Sequence, residues 1–152
     1  MPNLLSKIAE RFKPVRRQDP VFGSMLYMGD KLGYWEGRTK FPPTNCQIEV
    51  FVDGSSEDSM ERQHLFFEKV CHEWLQLREA IAPKIREAYV QVTMETLTTE
   101  LWDEFTVTSI SIPAADLESS AWTIGLDAKS DDGHSYFVEM QGRASRIISC
   151  DS

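Results

Sequence analysis

The sequence predicts an α+β domain: a mainly antiparallel sheet, drawn from strand clusters at residues 21–53 and 106–149, packed against a central helical segment that is long or kinked. Three observations carry this. Short stretches in both clusters alternate apolar and polar residues, as a half-buried antiparallel strand requires. The middle of the chain carries one apolar stripe at helical spacing. Strand and helix patterns are segregated, not interleaved, which separates α+β from a doubly wound parallel fold.

Residues 1–18 read as a short basic amphipathic helix with a linker, and residues 19–152 as a single α+β domain. Leu4, Leu5, Ile8 and Phe12 share one helical face, and Pro14 with the stretch Arg16-Arg17-Gln18-Asp19-Pro20 ends it. Val21 to Met28 reads as a strand. Gly33 to Phe41 alternates, with Trp35, Thr39 and Phe41 on one face and Glu36, Arg38 and Lys40 on the other; Pro42-Pro43 stops it. Gln47 to Asp53 sets Ile48, Val50 and Val52 against Gln47, Glu49, Phe51 and Asp53.

Gly54-Ser55-Ser56 breaks the strand pattern. Ser56 or Ser59 then caps a helix whose stripe runs from Phe67 through Trp74, Leu77, Ile81 and Ile85 to Val92. Pro83 interrupts it. A proline costs about 3 kcal/mol inside a helix, so a kink or break is expected near Ala82. Residues 98–104 form a short helix with Leu101 and Trp102 inward. Thr106 to Ile112, Ala121 to Ala128 and Ser135 to Gln141 return to strand patterns, the last two as a hairpin turning at Ser130-Asp131-Asp132-Gly133. Residues 143–149 add a last short strand.

Composition narrows the function. With 152 residues, 41% apolar and 26% charged, the chain can build a core without a disulfide or metal. Cys46, Cys71 and Cys150 are widely spaced and form no CxxC, so neither a disulfide framework nor a zinc site is expected and free thiols in the cytoplasm are; Cys150, close to the end, is expected to be exposed. No apolar run is long enough to span a membrane, and a secretion signal is not expected because Leu4-Leu5 is at once followed by Ser6, Lys7 and Glu10. The formal net charge is −8. Five basic side chains against Glu10 give residues 1–17 a charge of +4, which leaves −12 on the remainder. An acidic body repels phosphates, so nucleic acid is not an expected partner.

Catalytic patterns are absent. His72-Glu73 resembles the start of HExxH, but Gln76 stands where the second histidine would be. Asp127, Asp131 and Asp132 cluster around the last hairpin turn without the spacing of a calcium loop, and His134 follows where a carboxylate could pair with it. Tyr34-Trp35-Glu36-Gly37 is the most distinctive local string; an exposed Tyr34 beside Glu36 suits a binding hot spot, whereas Trp35 on a strand suits the core. The candidate site residues are therefore Tyr34, Trp35, Glu36, Asp131, Asp132 and His134, with no catalytic, metal or cofactor residue among them.

Asp19-Pro20-Val21-Phe22-Gly23, Tyr34-Trp35-Glu36-Gly37 and Asp132-Gly133-His134 together resemble a group of bacterial α+β proteins of unknown function with a DPVFG…YWxG start. The resemblance covers roughly residues 19–141, implies a bacterial origin and a similar fold, and brings no catalytic residue with it.

The function expected from all this is a non-enzymatic protein-binding domain, of inhibitor or immunity type, that meets a partner with a basic surface. One alternative is a small-ligand-binding protein or hydrolase with its site near His134. Another is peripheral membrane association through residues 1–17.

Overall fold

The computed structural model describes residues 14–151, with the Asp132 side chain excepted. The helix expected before Pro14 lies outside the described residues. Among those described, eight strands form one mixed sheet in sequence order: β1 (Arg16–Asp19), β2 (Gly23–Tyr27), β3 (Tyr34–Phe41), β4 (Cys46–Asp53), β5 (Phe105–Ile112), β6 (Ala121–Ala128), β7 (Asp131–Gln141) and β8 (Ala144–Asp151). Three helices, α1 (Glu61–His72), α2 (Trp74–Thr93) and α3 (Leu101–Glu104), connect β4 to β5.

This corrects the expected fold class. The protein is mostly sheet, 43% strand against 26% helix, and only α2 reaches 20 residues. The two expected clusters are one sheet. They join where β4 and β5 run parallel, from Glu49 opposite Ser109 to Val52 opposite Ile112; every other pairing is antiparallel. Alternation reports that one face of a strand is covered. It is silent on the direction of the neighbour, so the join left no mark in the sequence.

The expected linker also changes. Arg16–Asp19 pairs with β2 as an edge strand, from Arg16 opposite Leu26 to Asp19 opposite Gly23. Its Arg-Arg-Gln-Asp sequence has no apolar alternation, and the ladder is held by backbone bonds and by Asp19. The last hairpin is tighter than expected. β7 begins at Asp131, and a register shift leaves residues 132–134 as extra chain between the Ala128–Asp131 and Asp127–Ser135 pairs.

The helical stripe does bury: Phe67, Val70, Trp74, Leu77, Ile81 and Ile85 are all in the core, with Tyr89 closing it. The interruption, however, falls at Glu73 and not near Ala82. Glu73 donates its N–H to the Lys69 carbonyl to end α1, while its own carbonyl accepts from Leu77 to begin α2. Pro83 lies inside α2. Its ring faces solvent, and the Glu79 carbonyl that loses a donor belongs to an exposed residue that water can serve. Neither Ser56 nor Ser59 caps α1, which starts from Met60 without a side-chain cap.

All three helices lie on one face of the sheet. Under them pack Trp35 and Phe41 of β3, Val50 of β4, Ile110 of β5, Ile124 of β6 and Val138 of β7. Edge-to-face pairs tie the layers, Phe22 on Phe67 at 5.6 Å and Phe66 on Trp122 at 5.3 Å between ring centres. Cys150 is half-buried on β8 and not exposed as expected.

The β7–β8 turn brings two backbone segments close together. Gly142 has φ +58°, its N–H donates to the Ser120 carbonyl, and its own carbonyl accepts from Trp122 Nε1 at 2.8 Å. A Cβ there would sit 2.7 Å from the Glu118 carbonyl oxygen. Gly142→Ala is therefore expected to lose about 2 kcal/mol, from left-handed backbone and a clash with backbone that cannot swing away. Urea unfolding checks it; a variant as stable as the parent contradicts the assignment.

Candidate functional site

The strand alternation that buries one face of the sheet delivers its odd partners to the other, and no described helix covers that second face. Trp35 and Tyr34 are adjacent in β3 and so part company. Trp35 is 0% exposed beneath the helices, and its Nε1–H donates to the Ser55 carbonyl at 3.2 Å. Tyr34 and Glu36 lie on the open face. The Tyr34 hydroxyl donates to Glu36 Oε1 at 3.4 Å, and the Tyr34 ring meets Phe51 edge-on at 6.2 Å.

This open face is hollowed. One depression, of about 580 Å³, begins at Arg16 and Leu26; a second, of about 500 Å³, reaches Asp127 and Phe137. They share Arg38, Glu49 and Phe51 in their walls, so they form one trough across the sheet. The register places six carboxylates on this face, those of Glu36, Glu49, Asp53, Asp127, Glu139 and Asp151, against the cations of Arg16, Arg38 and Lys40. On the β6–β8 side the strand positions carry carboxylates alone.

Two half-buried rings stand in the trough. Phe51 is directly opposite Glu36 across the β3–β4 ladder and lies between Glu49 and Asp53 along its own strand. Phe137 is directly opposite Gly125 and is followed by Glu139 two residues on. Gly125 is what lets the Phe137 ring lie low: an added Cβ would stand 3.3 Å from the ring and 2.1 Å from Ser109 Oγ. Between the rings run Ser109, Ser111 and Thr123. The Arg38 guanidinium, 73% exposed, already rests on Glu49 at 3.3 Å. The trough can thus hold planar cations and hydrogen-bond donors. In its wall the Ser135 hydroxyl donates to Asp127 Oδ1 at 2.9 Å, at an exposed position and with no histidine lining either depression.

The residues expected near the last hairpin meet, but not in a cavity. His134 Nδ1 lies 2.6 Å from Asp131 Oδ1, and the Tyr136 hydroxyl donates to Asp131 Oδ2 at 3.1 Å. The His134 hydrogen bond, with that of Tyr136, holds the Asp131 carboxyl below the usual carboxylate range. Burial, and then Asp131, pushes the Tyr136 hydroxyl well above the ordinary phenol. None of the five cavities described has His134 in its wall. Asp132 lies in the same strand, its side chain outside the description.

A second histidine–carboxylate pair was not anticipated. Asp19, whose side chain is 3% exposed, accepts the N–H groups of Val21 and Phe22 at 2.8 and 2.9 Å, and both its oxygens lie within 2.9 Å of His64 Nε2. The Asp-Pro-Val-Phe string signals the turn, since an aspartate readily bonds backbone N–H groups two and three residues on. The histidine 45 residues away gives no such signal. His64 borders an apolar hollow of about 800 Å³ beside α1, which also contains Cys71. Burial, and then Glu68, pushes that thiol up to about 11, so it is no thiolate nucleophile at neutral pH.

No described group of three or more His, Cys, Asp or Glu side chains could hold a metal ion, and no described helix is long and apolar enough to cross a membrane. No protein-family model, curated protein or solved structure matches the chain.

Proposed function

We propose that the protein is a non-enzymatic binding domain whose acidic open sheet face receives a partner protein with a basic surface. The trough through Glu49, Phe51 and Phe137 carries this reading. It joins rings that exclude water to carboxylates that select positive charge, on a rigid sheet that needs no rearrangement to bind. The net charge of −12 on residues 18–152 adds long-range attraction for the same partner. Three separate free thiols suit a cytoplasmic setting.

The test is capture by the full chain, from lysate of its source cells, set against the variant Glu49→Lys/Asp127→Lys/Glu139→Lys. These three residues are exposed, so the variant keeps its fold, which circular dichroism checks. A basic protein retained by the parent, lost by the variant and released as salt shortens the Debye length below about 8 Å supports the reading. No partner retained at modest salt, or equal capture by both chains, overturns it.

A further inference from the structure

We infer that the partner's docking segment is an extended chain bearing two arginines four residues apart, one for each ring of the trough. The inference rests on the binding reading above and makes it specific.

Each ring has the surroundings that a guanidinium needs. Around Phe51 stand Glu36 across the ladder and Glu49 and Asp53 along the strand. Beside Phe137 stand Glu139 along the strand and Asp127 one strand over. Arginine is the cation that fits, because its planar group stacks flat on a ring face and forks to carboxylates at once; a lysine ammonium is a compact point charge that can neither lie flat on the ring nor fork. Within the chain Arg38, 73% exposed, already makes one contact with Glu49 at 3.3 Å in the same wall as Phe51.

The separation follows from the register. Glu49 pairs with Ser109, Ser109 with Gly125, and Gly125 with Phe137, so Phe137 is level with Glu49 and three strands away. Phe51 lies two residues further along β4. Three strand spacings of about 4.8 Å and a two-residue offset of about 6.8 Å put the two backbone positions about 16 Å apart. In an extended chain only side chains an even number of residues apart share a face; four residues cover about 13 Å, and the long arginine stems span the rest. The hydroxyls of Ser109, Ser111 and Thr123 lie between the seats, where they can bond the segment's backbone.

The probes are three Gly/Ser peptides of equal length and charge: two arginines four residues apart, two adjacent arginines, and two lysines four residues apart. Each is titrated into the full chain and followed by amide chemical shifts. The spaced-arginine peptide is expected to bind about tenfold more tightly than the spaced-lysine peptide. The adjacent pair, able to fill one seat, is expected to match lysine. Phe51→Leu and Phe137→Leu, which keep the apolar volume, are each expected to remove the arginine advantage. Equal affinities for spaced arginine and spaced lysine, or an advantage that survives both leucine variants, overturn the two-seat inference; if Glu49→Lys still abolishes that binding, the basic-partner reading stands without it. No shifts with any peptide at millimolar concentration also overturn the inference, and the capture experiment then decides the broader reading alone.

Discussion

Trp35→Ala is expected to destabilise the protein by about 4 kcal/mol and to leave the chemistry of the trough untouched. Trp35 is 0% exposed, packs on Tyr27 at 4.9 Å between ring centres and donates its indole N–H to the Ser55 carbonyl. Alanine leaves a cavity the size of an indole under the helices and an acceptor without its donor, and a sheet paired on both sides of β3 cannot collapse to fill it. In a domain of this size the loss lowers the melting temperature by roughly 12 °C. The neighbouring change Tyr34→Ala is expected to stay within about 1 kcal/mol of the parent, because that ring is on the open face. Calorimetry on the two variants separates the faces: a Trp35→Ala protein that melts within a few degrees of the parent would show that the indole is not core.

The second large effect is at Asp19. Asp19→Ala is expected to cost about 3 kcal/mol, since it strips two backbone N–H groups and the His64 ring of a buried acceptor. Burial alone would push this carboxyl up. The N–H of Phe22, the His64 ring and the N–H of Val21 together outweigh it and hold the carboxyl below its ordinary value. A carboxyl depressed in the folded state binds protons more readily in the unfolded chain, whose value is about 3.9. Its contribution is therefore complete above that pH and shrinks as the pH falls through 3.9 toward the lower folded value. Asp19→Asn tests the sign, because it removes the ionisation and keeps an oxygen acceptor. The stability gap between parent and Asp19→Asn in urea is expected to be widest near pH 6 and to narrow at pH 3. A gap that does not change with pH would place the effect in shape and not in charge.

What the sequence made visible follows from what alternation and periodicity encode. Ile48, Val50 and Val52 turning inward put Glu49, Phe51 and Asp53 outward, so half of the trough could be read from β4 alone. The apolar stripe through Trp74, Leu77 and Ile81 announced the helical cover. Three features escaped, two of them because their causes lie between distant segments and one because its strand is polar on both faces. The parallel join depends on where the helical crossover sets β5 down. The edge strand at Arg16–Asp19 depends on a ladder to β2 that its polar side chains do not advertise. The trough depends on Phe51 and Phe137, 86 positions apart in the sequence, arriving on the same side of one sheet. The interruption at Glu73 instead of Pro83 is a different kind of miss. A proline on the wet side of a helix loses one bond that water replaces, and the bend goes where the core needs it.

The parallel seam also bears on how the chain acquires its structure. β1–β4 and β5–β8 are each built of neighbours in sequence, whose pairing closes only short loops. Joining Val50 to Ile110 closes a loop of 60 residues, at an entropic cost of about 3–4 kcal/mol. That cost falls due before any contact across the seam repays it. The meeting of the two halves is therefore expected to limit assembly: substitutions at Val50 or Ile110 are expected to slow folding, and changes in the outer strands chiefly to hasten unfolding, which stopped-flow kinetics checks.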